Sequence, residues 1–152
     1  NVKSMSLNWP TKTRKPQYVI SCGETSAIVL PNRNYVILRR FSAKEDERRI
    51  TAAPHIGRNI KAHQIGLENH LNYIHKPGGQ LSSDEAFGLA ALLNSELMDR
   101  YFRIASGNTQ VSATEMRAIR VPSLALIRKI GERVRAGENL DFAVNRETGY
   151  GT

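Results

Sequence analysis

The sequence predicts an α+β domain: a small, mainly antiparallel sheet over about residues 17–75, followed by packed helices over about residues 83–136. Three observations carry this reading. Up to Gln80 the apolar residues alternate in short runs broken by Gly, Pro and Asn, with no helical period. From Ser82 onward they recur three and four residues apart, behind two Ser-x-x-Glu sequences of the kind that cap helices. Finally, 152 residues with 40% hydrophobic and 24% charged side chains suit one compact domain. A chain of that size buries roughly 70% of its unfolded surface without help from a disulfide or metal.

Each strand has its own signal. Tyr18, Ile20 and Cys22 alternate with Val19 and Ser21, which predicts a strand with Cys22 inward as a small core hydrophobe rather than a nucleophile. Gly23-Glu24-Thr25 reads as a hairpin turn into Ala27 to Leu30, and Pro31 to Asn34 as the next turn. The run from Tyr35 to Phe41 is apolar on both faces and predicts a central strand covered on both sides. Period-two geometry sends Arg39 and Arg40 to opposite faces. Lys44 to Arg48 reads as a turn and Arg49 to Ala53 as a strand. His55 to Gly66, preceded by Pro54 and carrying two glycines and Asn59, reads as a loop. Asn69 to His75 reads as the last strand, closed by Pro77-Gly78-Gly79.

The helices follow. Ser82 and Glu85 form a capping box that opens a long amphipathic helix of about six turns, bent near Asn94-Ser95. Its inward stripe is Ala86, Ala90, Leu93, Leu97 and Tyr101, flanked by Leu89, Met98 and Ile104. Gly88 inside it marks a place where another backbone approaches. Ser106 to Gln110 breaks the pattern, Ser112 and Glu115 cap a short helix, and Ser123 opens another with Leu124, Ile127, Ile130 and Val134 inward. The tail from Asn139 carries no pattern, and there are no internal repeats.

Charge is segregated. Residues 1–61 hold 12 basic and 4 acidic side chains, residues 62–152 hold 10 of each, and the net charge is +8. A single-sign excess on one half of a small domain is the footprint of a polyanion partner; its bland counterpart is a solvated face. The richest apolar stretch, Ala86 to Leu93, is too short to span a bilayer, so no membrane partner is expected. The single Cys22 excludes an intrachain disulfide and a Cys-rich zinc site. Nothing reads as a signal peptide, so the cytoplasm is the expected compartment. A start at Asn1 rather than Met predicts a fragment of something longer.

Catalytic arrangements fail on spacing. Gly149-Tyr150-Gly151 has no helix after it to receive a phosphate, and no nucleophile elbow, P-loop or zinc-protease motif occurs. The spacings of His63, His70 and His75 match no metal pattern, so no metal is expected. Asp84-Glu85 is explained by the helix start, and Glu45-Asp46-Glu47 reads as a salt-bridged turn rather than a nuclease centre. What remains positive is Arg39, Arg40, Lys44, Arg48 and Arg49, predicted to fold five cations into one small phosphate-contacting area. The alternative is that Arg39 or Arg40 pairs with Glu45 or Glu47. The segment Ser106-Gly107-Asn108-Thr109-Gln110 offers donors for phosphate or base edges, or is a plain turn.

The segments YVILRRFSAKEDERRITAA, GLENHLNYI and ALLNSELMDRYFRIASGNTQVSATEMRAIRVP, in that order, resemble the C-terminal target-recognition region of TaqI-like adenine-specific DNA methyltransferases of restriction-modification systems. The LLNS, SGNTQ and closing V-P elements are also similar to recognition domains of type I specificity subunits. The resemblance covers about residues 30–123. It implies a single double-stranded DNA-binding domain over residues 1–152, cut from a larger enzyme whose catalytic domain carries an N-P-P-Y motif and binds S-adenosylmethionine. Neither that motif nor a methyl-donor pocket exists here, so no cofactor and no catalytic residue are expected in this chain. Base choice would fall on the irregular segment with His55, Arg58, Asn59 and Lys61, and on Lys76 to Gln80; the RRF and SGNTQ segments would serve backbone contact or structure. The competing readings are half of a type I specificity subunit, a protein-interaction module with an acidic partner, and a nuclease.

Overall fold

The computed structural model describes residues 1–43, 45–105 and 111–150. The class is α+β, with three small antiparallel sheets among the described residues where one was expected. β1 (Val2–Lys3) pairs with β2 (Ser6–Leu7), and β3 (Val29–Pro31) pairs with β6 (Gln64–Gly66). The third sheet runs β5 (Ala52–His55), β4 (Tyr35–Arg39), β7 (Leu71–Ile74).

β4 is central and buried on both faces, as its unbroken apolar run requires. Val36 and Leu38 face the helices, in one core with Ile50, Ala52 and Ile56. Tyr35 and Ile37 face the other way, in a second cluster with Val2 and Ala53 that Leu7, Leu30 and Ile65 cover.

Several strand expectations are corrected. Residues 18–22 are not a strand: Thr25 Oγ1 donates to the Ile20 carbonyl and accepts from Cys22 N–H, local bonds that compete with a ladder. Cys22 is therefore exposed rather than in the core, and hydrogen bonding to Thr25 lowers its thiol pKa. Ser26–Ile28 is a 3-10 turn, so the strand expected from Ala27 begins at Val29. The strand expected at Arg49 to Ala53 lies at Ala52–His55 and contains Pro54. A proline is tolerated there because β5 is an edge strand with no ladder bond to lose on its outer side. His55 thus ends a strand rather than opening a loop, and the expected loop also contains a 3-10 turn (Gly57–Asn59) and β6.

The long helix is broken into α1 (Ser83–Asn94) and α2 (Glu96–Ala105) by an extended Ser95. The Ser82–Glu85 capping box opens α1. Ser95 Oγ donates to the Leu92 carbonyl and accepts from Met98 N–H, closing one helix and starting the next. This break resets the phase of the buried face. In α2 the interior residues are Met98, Asp99 and Phe102; the expected Tyr101 and Ile104 stand 45% and 89% exposed.

α3 (Ala113–Ala118) has the second capping box, and α4 (Leu124–Arg135) buries Ile127 and Ile130 while Leu124 stays exposed. A fifth helix, α5 (Leu140–Thr148), occupies the tail where no pattern was legible and buries Ala143 and Val144. Its signal was at its ends: Asn139 caps the Asp141 and Phe142 N–H groups, and Gly149 closes it at φ 71°. The approach expected at Gly88 is real, since a Cβ there would lie 1.9 Å from the Ile127 carbonyl oxygen. Reciprocally, one on Gly131 would lie 1.9 Å from the Asp84 oxygen.

Candidate nucleic-acid interface

The charge segregation in the sequence becomes a difference in pairing. In the helical half most arginines meet carboxylates, among them Arg103 with Asp99, Arg133 with Glu147, Arg135 with Asp84 and Arg128 with Glu85, while Arg117 and Arg120 are exposed and make no ion pair among the described residues. Glu85 is 1% exposed, and Arg128 reaches its Oε1 from Nε at 3.0 Å and from a terminal nitrogen at 2.7 Å. Burial works to raise the Glu85 pKa, but the Ser82 N–H, Arg128 and Lys76 outweigh it and hold the carboxyl below its ordinary value. Among the described residues, the cations Arg14, Arg33, Arg40, Arg58 and Lys61 of the first half are exposed and make no ion pair.

The predicted five-cation area is not assembled. Arg39 Nε donates to the Val2 carbonyl at 2.9 Å and ties β4 to β1, rather than pairing with Glu45 or Glu47. Arg48 lies 3.4 Å from Asp141 of α5. Arg49 is 3% exposed; its Nε donates to Ser42 Oγ and its backbone N–H to Asp99 Oδ1 at 2.6 Å. Arg40 alone of these four points to solvent, over the Phe41 ring. In the Glu45 to Glu47 turn Asp46 Oδ2 accepts from Ala43 N–H, the Asp46 N–H donates back to the Ala43 carbonyl, and Arg103 donates to the Asp46 carbonyl. Lys44, and Gly107 to Gln110 with Ser106, lie outside the described residues. Their flank is anchored, because Val111 N–H donates to the Arg40 carbonyl and Asn72 Nδ2 to the Val111 carbonyl.

At the other end of β4 a scaffolded loop stands out. Asn32 Nδ2 donates to the carbonyls of Gly57, Ile60 and Ala62 at 2.8–2.9 Å. With its amide nitrogen so committed, Asn32 Oδ1 is an acceptor and His55 Nε2, at 2.9 Å, carries the proton that meets it. His55 is buried against Tyr35, and burial lowers its pKa. Asn34 Oδ1 accepts from Gly57 N–H while its Nδ2 donates to the Leu81 carbonyl. Gly57 packs closely on the turn before β4: a Cβ there would lie 3.0 Å from the Asn32 carbonyl oxygen, so that backbone would have to give by a few tenths of an ångström. The result is a fixed loop presenting Arg58, Asn59 and Lys61 to solvent.

Arg33 joins this loop to the segment Lys76 to Gln80 by donating to the Gly79 carbonyl at 3.2 Å. The two segments assigned to base choice therefore meet at one end of the sheet. Arg33 and Arg40 lie at opposite ends of β4, seven residues or roughly 23 Å apart along an extended chain. The sequence reading treated Pro31 to Asn34 only as a turn and missed Asn32, Arg33 and Asn34. Two asparagines flanking an arginine between strands were the available signal, since Asn side chains in turns commonly bond neighbouring backbone.

Among the described residues no group of three or more His, Cys, Asp and Glu could hold a metal ion, and no helix is long and apolar enough to cross a membrane.

No family model matches the chain. It is 39% identical over 139 residues to the type II methyltransferase M.PstI of Providencia stuartii, covering 91% of this chain and 27% of that protein. It is 38% identical over 129 residues to the type II methyltransferase M.BsuBI of Bacillus subtilis, covering 85% of this chain and 26% of that protein. The chain thus spans about a quarter of the length of the curated relatives it matches. No solved structure matches it.

Proposed function

We propose that this chain is the target-recognition domain of an adenine-specific DNA methyltransferase of a restriction-modification system, binding double-stranded DNA for a catalytic domain of the same parent. The observation that carries this reading is the loop fixed by Asn32 and His55, which holds Arg58, Asn59 and Lys61 in solvent, its two cations without an ion pair among the described residues. Exposed fixed cations gain from releasing counterions at phosphates, and a rigid loop with an Arg and an Asn can offer bidentate contacts to base edges. The similarity to type II methyltransferases supports the parent's chemistry.

In this division Arg58 and Asn59 read bases, with Arg33 and Lys61 beside them, and Arg40 contacts phosphate from the far end of β4. Arg39 and Arg48 hold the domain together through Val2 and Asp141, and Arg49 is buried with its Nε on Ser42 and its backbone N–H on Asp99. S-adenosylmethionine belongs to the parent's catalytic domain.

The experiment is binding of the chain to a fluorescent duplex over a range of salt concentrations. Affinity should fall linearly on a log-log plot, and incubation with DNA and labelled methyl donor should give no transfer. Salt-insensitive binding, or none at low salt, overturns the reading.

A further inference from the structure

A second basic loop, residues 11–17, precedes the segment that packs on β6. Gln17 is its hub: Oε1 accepts from the Thr11 N–H and hydroxyl at 3.0 Å, and Nε2 donates to Thr13 Oγ1 and the Lys15 carbonyl. The Gln17 carbonyl in turn accepts from Trp9 Nε1, whose ring meets Tyr18 edge-on at 5.4 Å. With the amide turned inward onto the loop's own backbone, Lys12, Arg14 and Lys15 project outward, exposed and without an ion pair among the described residues.

This loop is joined to the sheet next to the Asn32-held loop. Ser21 Oγ hydrogen-bonds Gln64 of β6, and the Val19 side chain lies over Gly66, 3.0 Å from where a Cβ would stand. β6 is the strand that leads directly out of residues 57–63. Burial works to raise the pKa of Glu68, just past it, but His70 and the charge of Lys15 together outweigh it and hold the carboxyl below its ordinary value.

We infer that residues 11–17 form a second phosphate-contacting element, continuous with the loop carrying Arg58 and Lys61, so that Lys12, Arg14 and Lys15 grip the duplex backbone beside the bases that loop reads. The inference rests on the DNA-binding reading above. A preordered loop loses less conformational freedom on binding than a flexible basic arm, which favours a fixed polyanion track as its occupant over an adaptable acidic peptide.

The test compares the chain with its K12Q/R14Q/K15Q variant on the same fluorescent duplex across salt. R100Q, which removes a cation paired with Glu96 on the helical half, is the control. The triple variant should flatten the log-log salt slope by roughly two to three units, about 0.9 for each lost phosphate contact, while R100Q leaves it unchanged. In the unaltered chain, bound DNA should protect Lys12 and Lys15 from an amine-labelling reagent, a readout independent of how the variant folds. If the unaltered chain binds with its lysines still labelled and the triple variant keeps its slope, this inference fails and the recognition reading stands. If the unaltered chain shows no salt-dependent binding, both fail.

Discussion

His55 Nε2 donates to Asn32 Oδ1 across 2.9 Å, beneath a loop in which the carbonyls of Gly57, Ile60 and Ala62 accept from the same asparagine's Nδ2. One side chain therefore sets the shape of residues 57–62, and a buried histidine sets the orientation of that side chain. Asn32→Ala leaves those carbonyls and the imidazole without their partner. Amide exchange over residues 57–63 should accelerate while α1 stays protected. Preference for the cognate sequence should drop by about 1–3 kcal/mol with non-specific binding retained. Unchanged exchange in the loop would show that Asn32 does not hold it.

Affinity and specificity should separate. Arg40→Ala should weaken binding about equally for all sequences and flatten the salt slope by roughly one unit, as loss of a phosphate contact does. Arg58→Ala or Asn59→Ala should cost about 1–3 kcal/mol on the cognate site and little elsewhere. The reverse pattern would move base reading to the far end of β4.

Acid should act in two steps. His55 is buried with its pKa lowered, so the unfolded chain takes up a proton that the folded one resists; stability is full above about pH 6.5 and declines as pH falls from there through the lower folded value. Glu85, held ionised by Ser82, Arg128 and Lys76, contributes stability above its unfolded pKa of about 4.3 that is lost as pH falls through its folded value. His55→Gln should remove the first decline and keep the second, read from denaturation midpoints against pH. A His55→Gln protein with an unaltered profile from neutral to pH 5 disproves the assignment.

Gly88→Ala should be more costly than any helix propensity predicts. Alanine is the better helix former, but its methyl would meet the Ile127 carbonyl, so α1 and α4 must separate. The cost should reach the upper end of the roughly 1–3 kcal/mol typical of overpacking. A stabilised variant would mean the helices are not in backbone contact.

The break at Ser95 predicts an asymmetry between neighbours. Phe102→Ala should cost about 3–5 kcal/mol, because Phe102 is buried. Tyr101→Ala should stay within about 1 kcal/mol, because its ring is half in water. Equal costs in chemical denaturation would restore one continuous helix.

What the sequence determined by itself was local or periodic. The α+β class, the buried central strand from Tyr35, both capping boxes and the close approach at Gly88 each follow from spacing or the chemistry of a few adjacent residues. Charge segregation was equally legible, because counting needs no coordinates. Tertiary structure alone decided which arginines reach solvent: Arg39, Arg48 and Arg49 look like Arg40 in sequence, yet Val2 and Asp141, both distant along the chain, engage the first two, and Arg49 is buried with its Nε on Ser42. It also decided that Pro54 could sit in a strand, since only strand order makes β5 an edge, and that residues 57–62 form a fixed loop. An asparagine's hydrogen bonds to carbonyls 25 to 30 residues away leave no period and no motif. The physical reason is the same throughout: short-range preferences are written in neighbouring side chains, whereas the partner that buries or pairs a polar group is chosen only when distant segments meet.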